Sequence, residues 1–520
     1  MRLLKLLPKL IVALIGISIS ISSLSIAQTE LRAYELQTSY ESWSLPQGES
    51  MGMQRFGFRQ SFGPHFNAGV DAFTAIQGER GGFITLGASA GLVYPLMGRL
   101  SLESDLHIGA GGGRGGYELA GGGLLLRESI GLRYQLPLGS LSVGLSRVDF
   151  PNNGVIKSNQ MYVGYNLPFN ALMQAGYEPK GKEYLSGLDL KLYEPRQHEF
   201  SIHYREMTVG SGITTDSGGV QEDFGVMGAQ WRTYFTPNWF GQIESAGAMR
   251  GNSRGYMHIL AGGGYRLPLT ESLYMNTALM VGGGGGGAVN TGGGLLWDTS
   301  LSLQYFLNKR WYVDVSASRI WAASTPFESN SYGFKLGYQL GSFANTDRKS
   351  TVFNQNFESH PLRFRLVNQT YTKASENWRN RPDQNVDNLG VQVDYFVEPY
   401  FYLTGQGLGA HTGDAGAYMT GLLGAGLRQK TTKNTFIELE ALTGAAGGGG
   451  LNTGSGMVYQ GNLNFGYQLN KSLSLIASYG QMKATNGDFH AHVYGLSLAY
   501  QLNALSARSM TMPFYQPSKD

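Results

Sequence analysis

The chain contains no cysteine among its 520 residues. Disulfides, thiolate metal sites, c-type haem attachment and thiol catalysis are therefore excluded. Long hydrophobic runs are also missing beyond the N-terminus, where no segment offers about 18 consecutive apolar residues, the length a membrane helix needs. A helical membrane protein is excluded as well.

The N-terminus has the pattern of a secretory signal peptide. A basic region precedes an apolar run and a small-x-small cleavage pattern: Arg2, Lys5 and Lys9, then Leu10 to Ile26, then Ser25-Ile26-Ala27. We therefore place a signal peptide at residues 1–27 and the mature N-terminus at Gln28, with an uncleaved anchor as the alternative. Without this segment the chain has 37 basic and 37 acidic residues. This neutral balance gives no indication of a nucleic-acid partner.

A block of about 165 residues occurs three times, which is too long for a solenoid unit. Three sets of residues keep the spacing: Tyr94, Tyr265 and Leu427; Tyr134, Tyr305 and Tyr467; Tyr165, Tyr338 and Tyr500. Each copy has room for eight short β-strands. Eight is the smallest number of strands that closes into a membrane barrel.

The strands alternate with period two, as the last one illustrates. Its large apolar face and its small or polar face are Tyr494, Leu496, Leu498, Tyr500 and Leu502, against Gly495, Ser497, Ala499 and Gln501. A soluble β-sandwich would alternate in the same way, with its apolar face inward. The polar face contains Gly, Ser, Ala, Asn and Gln rather than Lys and Glu, which favours a lumen. We therefore predict that the apolar face points outward.

The connections between strands alternate in length. Every second one is very short, as at Gly63–His65, Thr236–Asn238 and Glu398–Pro399, whereas Val209–Asp223 and Lys373–Asp387 are long. Short turns on one side and longer loops on the other are typical of outer-membrane barrels, whose turns are periplasmic. Aromatic residues next to the short turns predict an interfacial girdle: Trp239, Phe240, Trp311, Tyr312, Tyr400, Phe401 and Tyr402.

The final strand carries Gly495-x-x-Leu498-x-Tyr500, and the second copy repeats the pattern as Gly333-x-x-Leu336-x-Tyr338. With its strand pattern, the chain resembles the eight-stranded outer-membrane barrels of Gram-negative bacteria, the type represented by the membrane domain of outer membrane protein A. The resemblance is architectural, covers nearly the whole mature chain and identifies no specific family. It implies that Gly495, Leu498 and Tyr500 form the signal that the barrel assembly machinery reads. The chain departs from this type of barrel in one respect, because it continues beyond the final strand, from Asn503 to Asp520.

The fold predicted is an all-β, antiparallel, up-and-down transmembrane β-barrel with three repeats of about eight strands. The predicted segments are a signal peptide at 1–27, barrel repeats at 28–169, 198–340 and 362–502, linkers at 170–197 and 341–361, and a polar tail at 503–520. The first linker contains a further strand-like piece, Glu183–Tyr193. Two closures satisfy the pattern: three tandem small barrels, or one barrel of about 24–26 strands.

Glycine-rich segments follow the fifth strand of each copy, at Gly109–Gly123, Gly282–Gly294 and Gly444–Gly456. A phosphate-binding loop would need a following helix and a Gly-Lys-Ser/Thr sequence, and neither is present in the pattern. We interpret these segments as flexible or tightly packed hairpins, in which glycine permits positive φ and close backbone approach.

Several charged residues fall on predicted lumen faces. Those of the first copy are Glu103, Asp105, His107 and Arg133, and Glu438 and Glu440 occupy the positions of Glu103 and Asp105 in the third copy. An acid–histidine group can serve catalysis, but a charge network that fills a small barrel is the favoured interpretation. His490 and His492 share a strand face, yet the sequence does not indicate the third ligand that a metal site needs. We predict no catalytic, metal or cofactor site, and no enzyme activity.

The predicted function is passage of solutes or a polymer across the outer membrane of a Gram-negative bacterium, as a porin, channel or exporter. The alternative is a structural, envelope-assembly or adhesion barrel without conductance, and a weaker alternative is a lipid-modifying barrel enzyme. Expected partners are outer-membrane lipid and the barrel assembly machinery, with a periplasmic or polysaccharide-export partner as a further option, and no nucleic acid.

Overall fold

The computed structural model describes residues 29–176, 193–345, 357–381 and 383–507. The predicted signal peptide, the centre of each predicted linker and the tail beyond Ala507 lie outside these residues. None of the described helices is long and apolar enough to cross a membrane. The one α-helix among the described residues is a single turn, α1 (Gly116–Ala120), in a loop of the first repeat.

The residues that the structure describes form 24 antiparallel strands. The first eight are β1 (Thr29–Ser44), β2 (Ser50–Phe62), β3 (Phe66–Gln77), β4 (Ile84–Met97), β5 (Leu100–Gly112), β6 (Leu124–Leu136), β7 (Gly139–Asp149) and β8 (Lys157–Ala175). The second eight are β9 (Tyr193–Val209), β10 (Phe224–Tyr234), β11 (Trp239–Arg250), β12 (Met257–Pro268), β13 (Leu273–Gly285), β14 (Leu295–Phe306), β15 (Trp311–Ala322) and β16 (Glu328–Asn345). The last eight are β17 (Phe357–Lys373), β18 (Val386–Glu398), β19 (Phe401–Ala410), β20 (Met419–Lys430), β21 (Thr435–Gly447), β22 (Met457–Gln468), β23 (Leu473–Ala484) and β24 (His490–Ala507).

Within β1–β8, β9–β16 and β17–β24, consecutive strands pair with each other, and the last strand of each set pairs with its first. β9 pairs with β16, which makes β9–β16 a closed barrel. β1 pairs with β8 from Thr29 to Glu41, and β17 pairs with β24 from Phe357 to Lys373. We call these closed sets the first (β1–β8), second (β9–β16) and third (β17–β24) rings. The predicted all-β antiparallel barrel class is confirmed.

The closure differs from both alternatives that the sequence left open. β8 pairs with β1 rather than continuing to β9, so the strands do not form one barrel of about 24–26 strands. The rings are not three separate units either, because Leu502–Ala504 of β24 pair with Met173–Ala175 of β8. The first and third rings therefore form one sixteen-stranded hydrogen-bonded sheet, beside the closed barrel of the second ring.

The short turns all lie at one end of the rings, called here the turn end, and the longer loops lie at the other, the loop end. The prolines of the first turns, Pro64, Pro237 and Pro399, stand between the second and third strands of each ring, where a residue without an N–H does not interrupt the strand pairing.

Strands extend into both segments predicted to be linkers: β8 reaches Ala175 and β16 reaches Asn345. These extensions bring the last strands of the rings together at the turn end.

Candidate functional site in the ring interiors

Side chains alternate between a polar interior and an apolar exterior along the strands. On β22, Gln460, Asn462 and Asn464 are buried inside the third ring, whereas Leu463 and Phe465 are exposed on its outer surface. The last strand follows the same rule, with Ser497 and Gln501 inside and Tyr494 and Leu496 outside. The outward orientation predicted for the apolar face is therefore what the structure has.

Ion pairs fill the lumen of the first ring. Arg127 donates to both carboxylate oxygens of Glu41, with Nε–Oε1 and Nη2–Oε2 distances of 3.0 and 2.9 Å. Arg55 bridges Asp71 and Asp105, at 2.8 and 3.0 Å. All but Asp105 are buried, and the Asp105 side chain is only slightly exposed. Buried charges that are paired in this way are strongly coupled to one another, so removing one partner leaves the other without compensation.

The charged residues that the sequence singled out in the first copy lie in this lumen, in two groups. Asp105 belongs to the central network around Arg55, while Arg133 donates to Glu103 through Nε at 2.7 Å and to Glu35 through Nη1 at 2.7 Å nearer the turn end. The pairing of Arg133 with Glu103 therefore includes a third residue, Glu35, that the sequence argument did not name.

His107 lies in the same lumen, beside a serine and an aspartate. Its Nδ1 is 2.9 Å from Ser89 Oγ and 3.4 Å from Asp71 Oδ2, and all three side chains are buried. In a serine hydrolase the acid and the serine use different imidazole nitrogens, whereas here both face Nδ1. The group is thus part of the packing of the lumen and does not have the geometry of a proton relay to an accessible nucleophile.

The third ring carries a similar network, whose arginines lie on its first strand. Arg363 binds Asp394 and Glu438 at 2.5 and 2.6 Å, and Arg365 binds Asp394 and Glu440, both at 2.6 Å. Glu438 and Glu440, which the sequence singled out, are thus both paired with arginines on β17. Every member of this network is buried.

The second ring also contains a charge network, and the sequence argument missed it. Arg266 binds Glu199 at 2.6 Å, and Arg205 binds Asp298 at 2.7 Å and also Glu244. The comparison of copies looked for acids only at the positions of Glu103 and Asp105. The signal that could have found this network is the alternation itself, because these five residues all occupy inward positions on their strands.

Apolar side chains close the loop end of each lumen, and aromatic side chains close the turn end of the second. At the loop end, apolar clusters cap the networks: Trp43, Phe73, Phe83 and Phe150 in the first ring, Phe224, Tyr256, Leu296 and Phe327 in the second, and Tyr371, Trp378, Tyr418 and Phe489 in the third. Near the turn end, aromatic groups pack together, such as Tyr274, Phe306 and Tyr312. A cavity of about 30 Å³ lies beside Arg55 and Glu103, which is room for one or two water molecules.

The remaining candidate residues lie on β24. Leu498 and Tyr500 of the predicted assembly signal are on the outer face, and the strand continues from Tyr500 to Ala507, so the motif is internal to its strand. The centroids of the His490 and His492 imidazoles are 6.3 Å apart. Across the part of the chain that the structure describes, no three His, Asp, Glu or Cys side chains are grouped closely enough to hold a metal ion.

The glycine-rich segments lie where one ring meets the next. The third strand of each ring contacts the fifth strand of another in a cycle: β3 with β13, β11 with β21, and β19 with β5. At these seams, a Cβ on Gly409 would lie 2.6 Å from the carbonyl oxygen of Ala110 in the neighbouring ring. Backbone groups also hydrogen-bond across, as from Gly416 N to Gly121 O at 2.9 Å. The glycines therefore permit backbone-to-backbone packing between rings, which the hairpin interpretation did not foresee.

Comparison with known proteins identifies no family. No protein-family model and no curated protein matches the chain. Among solved structures it is similar to the ferric enterobactin receptor of Pseudomonas aeruginosa, at 11% identity over 91% of this chain and 82% of that one, with a TM-score of 0.27. It is also similar to the siderophore receptor PirA of Acinetobacter baumannii (8%, 92% and 81%, 0.27) and to OccK11 of P. aeruginosa (12%, 92% and 99%, 0.20). At such TM-scores the likeness carries no argument about function.

Proposed function

We propose that this protein is an integral outer-membrane protein whose three eight-stranded rings are sealed, and that it acts as a structural component of the envelope rather than as a pore. The observation that carries the proposal is the filled lumen of every ring. An eight-stranded barrel has an interior just wide enough for side chains. Here that interior holds buried ion pairs beneath apolar caps.

The outer surface supports a membrane location. Large apolar side chains are exposed around all three rings, for example Ile130, Leu301 and Leu463. In water such a continuous apolar surface would be an aggregation hazard, whereas in a bilayer it is the required lipid-facing belt. Exposed Trp239 and Tyr400 at the turn end match an interfacial girdle, whereas the other aromatics predicted for that girdle include three that are buried: Phe240, Tyr312 and Tyr402. The expected signal peptide and the Gly495-x-x-Leu498-x-Tyr500 motif fit delivery by the barrel assembly machinery to the outer membrane of a Gram-negative bacterium.

The sequence favours conduction because the inner faces are polar. Polar lumen residues serve a pore only if they leave an aqueous path, and here arginines and carboxylates are directly paired across each lumen. The rings instead present extensive outer surface and close seams to one another. These features favour the structural alternative, in which the protein contributes rigid mass to the membrane.

Planar-bilayer recording of the folded protein tests this directly. We expect no steady conductance, with insertion verified by protease protection in vesicles of the same lipid. A double variant, Glu41→Ala with Arg127→Ala, removes the central pair of the first lumen and should give small, brief current steps, which shows that the assay detects an opened eight-stranded ring. Steady current from the unmodified protein would overturn the proposal and support the hypothesis that the protein is a porin.

A genetic experiment tests the structural role. Deleting the gene from its source bacterium should raise sensitivity to detergents and leakage of periplasmic enzymes, while uptake of small hydrophilic solutes stays unchanged. Reduced uptake with an intact envelope would contradict the proposal.

A further inference from the structure

The three rings surround a common axis, and near the loop end their fourth strands meet on it. Ile84 of β4, Ile259 of β12 and Met419 of β20 form a single buried cluster with one residue from each ring. The fourth strand lies between the third and fifth strands, which make the seams with the other two rings. The cluster therefore closes the space between the rings at the loop end.

Near the turn end, the extended last strands close the same space. β8, β16 and β24 all contact one another, and β8 and β24 are hydrogen-bonded from Met173–Ala175 to Leu502–Ala504. Leu172 and Leu502 are almost completely buried there. The rings thus touch near both ends of the axis.

Between these two closures the facing surfaces are apolar, and two of their side chains stay accessible. Phe58, Trp231 and Val393 occupy equivalent places, each six residues before the proline of the first turn of its ring. Trp231 and Val393 are 40% and 39% exposed. Leu132 of β6, the strand four places from β2 in the first ring, is 47% exposed. A side chain between the rings that is nearly as accessible as one on the outer perimeter indicates an apolar space along the axis.

We propose that this axial space holds acyl chains of membrane phospholipid. The proposal rests on the membrane location proposed above. Protein surfaces inside a bilayer that do not pack on protein are covered by hydrocarbon, because water there would leave apolar surface wetted and an empty space would forfeit dispersion contacts. The lining is suited to alkyl chains, since Phe56, Ala229 and Val391, two residues further from the turn end, are also apolar.

Cationic groups stand at the turn-end seams, where the phosphates of an enclosed lipid would lie. Arg32 of the first ring donates to the hydroxyl of Tyr500 in the third ring. Arg310 Nη1 of the second ring donates to the Tyr338 hydroxyl at 2.9 Å. The aromatic centroid of Tyr338 lies 6.0 Å from that of Tyr395, which belongs to the third ring. Basic pockets between membrane segments bind lipid head groups.

The first measurement is the lipid content of the full-length protein. The protein is purified in mild detergent and washed until bulk lipid is gone. Bound lipid is then measured by native mass spectrometry and by phosphate assay of an organic extract. We expect phospholipid at a fixed ratio to protein. An absence of phospholipid from folded protein, or lipopolysaccharide in its place, would overturn the inference. Either result would leave the conductance prediction untouched, so the two proposals fail separately.

A matched pair of variants locates the lipid. Ala229→Trp places bulk in the axial space, whereas Ala317→Trp makes the same change on an exposed outward position of β15. Retained phospholipid should fall several-fold in A229W and be unchanged in A317W. Equal retention in both folded variants would show that the lipid binds elsewhere and would overturn the axial assignment. If A229W does not fold, Val391→Trp, on the facing surface of the third ring, makes the same test.

Discussion

Replacing a single seam glycine by alanine tests whether the rings are held by close backbone packing. In Gly409→Ala, the new Cβ would lie 2.6 Å from the carbonyl oxygen of Ala110 and 2.9 Å from the backbone nitrogen of Gly111, both on β5 of the next ring. An ordinary contact begins near 3.4 Å, so β19 and β5 must separate by about 0.8 Å. Overpacking of this kind costs about 1–3 kcal/mol. Because Gly409 does not have a positive φ, this cost contains no backbone strain.

The chain supplies its own control two residues away. Gly407 lies on the same face of β19, and a Cβ there would meet only Leu86 Cδ2 at 3.7 Å, an ordinary van der Waals distance. Gly407→Ala should therefore change the free energy of unfolding by less than about 0.5 kcal/mol.

Two readouts separate stability from ring separation. Urea unfolding of the vesicle-inserted protein gives the free energy of unfolding. Cross-linking of Tyr117→Cys with Arg381→Cys by a short bismaleimide reports how closely the first and third rings approach. The Arg381 guanidinium lies 3.5 Å from the centroid of the Tyr117 phenol, so the two positions are within reach of the reagent. No native cysteine interferes. We expect Gly409→Ala to lower stability and slow cross-linking. If the two alanine variants behaved identically, the reasoning about backbone packing at the seams would be refuted.

Three further predictions concern the belt, the lumen and the cap, and all are measured by urea unfolding in vesicles. Leu496→Arg, on the outward face of β24, should cost about 2–4 kcal/mol near the bilayer midplane, whereas Leu496→Met should cost less than about 1.5 kcal/mol; equal costs would contradict the outward assignment. Arg127→Met should cost about 3–5 kcal/mol because it strands the Glu41 carboxylate, and adding Glu41→Leu should recover most of that loss; no recovery would show that the pair is not coupled. Trp43→Ala should cost about 3–5 kcal/mol through the cavity left in the loop-end cap of the first ring; a cost below about 1 kcal/mol would mean that the cap is loosely packed.

The strand pattern and the facing of the side chains were predictable because both are local properties. Alternation of the kind seen in Gly495–Gln501 places every second side chain on one face, and the contrast between Thr236–Asn238 and Val209–Asp223 marks the two ends of the rings. Closure was not predictable in the same way. Whether β8 pairs with β1, β9 or β24 depends on hydrogen bonds between segments far apart in the chain, and the pattern of β8 is compatible with each.

The functional interior was predictable only in part, because its charges do not keep their positions between copies. Glu103 and Asp105 have acidic counterparts in Glu438 and Glu440, but Tyr274 and Asn276 stand there in the second copy. The second ring instead places Glu244 and Asp298 on other strands and pairs both with Arg205. Inside a lumen the inward-facing positive and negative charges must balance, but any of the strands can carry them. Comparing equivalent positions of the three copies therefore finds only some of the charge networks.

The way in which the chain is enlarged bears on its function. Adding strands to one barrel widens its lumen, and a transport protein gains capacity in that manner. Repeating a closed ring of eight strands leaves each lumen as narrow as before and adds only outer surface and seams. In this chain the lumens differ in their ion pairs, yet the contact of a third strand with a fifth strand recurs at every seam. The feature common to the three copies is therefore the way in which they pack together, and the seams and the axis that they surround are where we expect function to be sensitive to substitution.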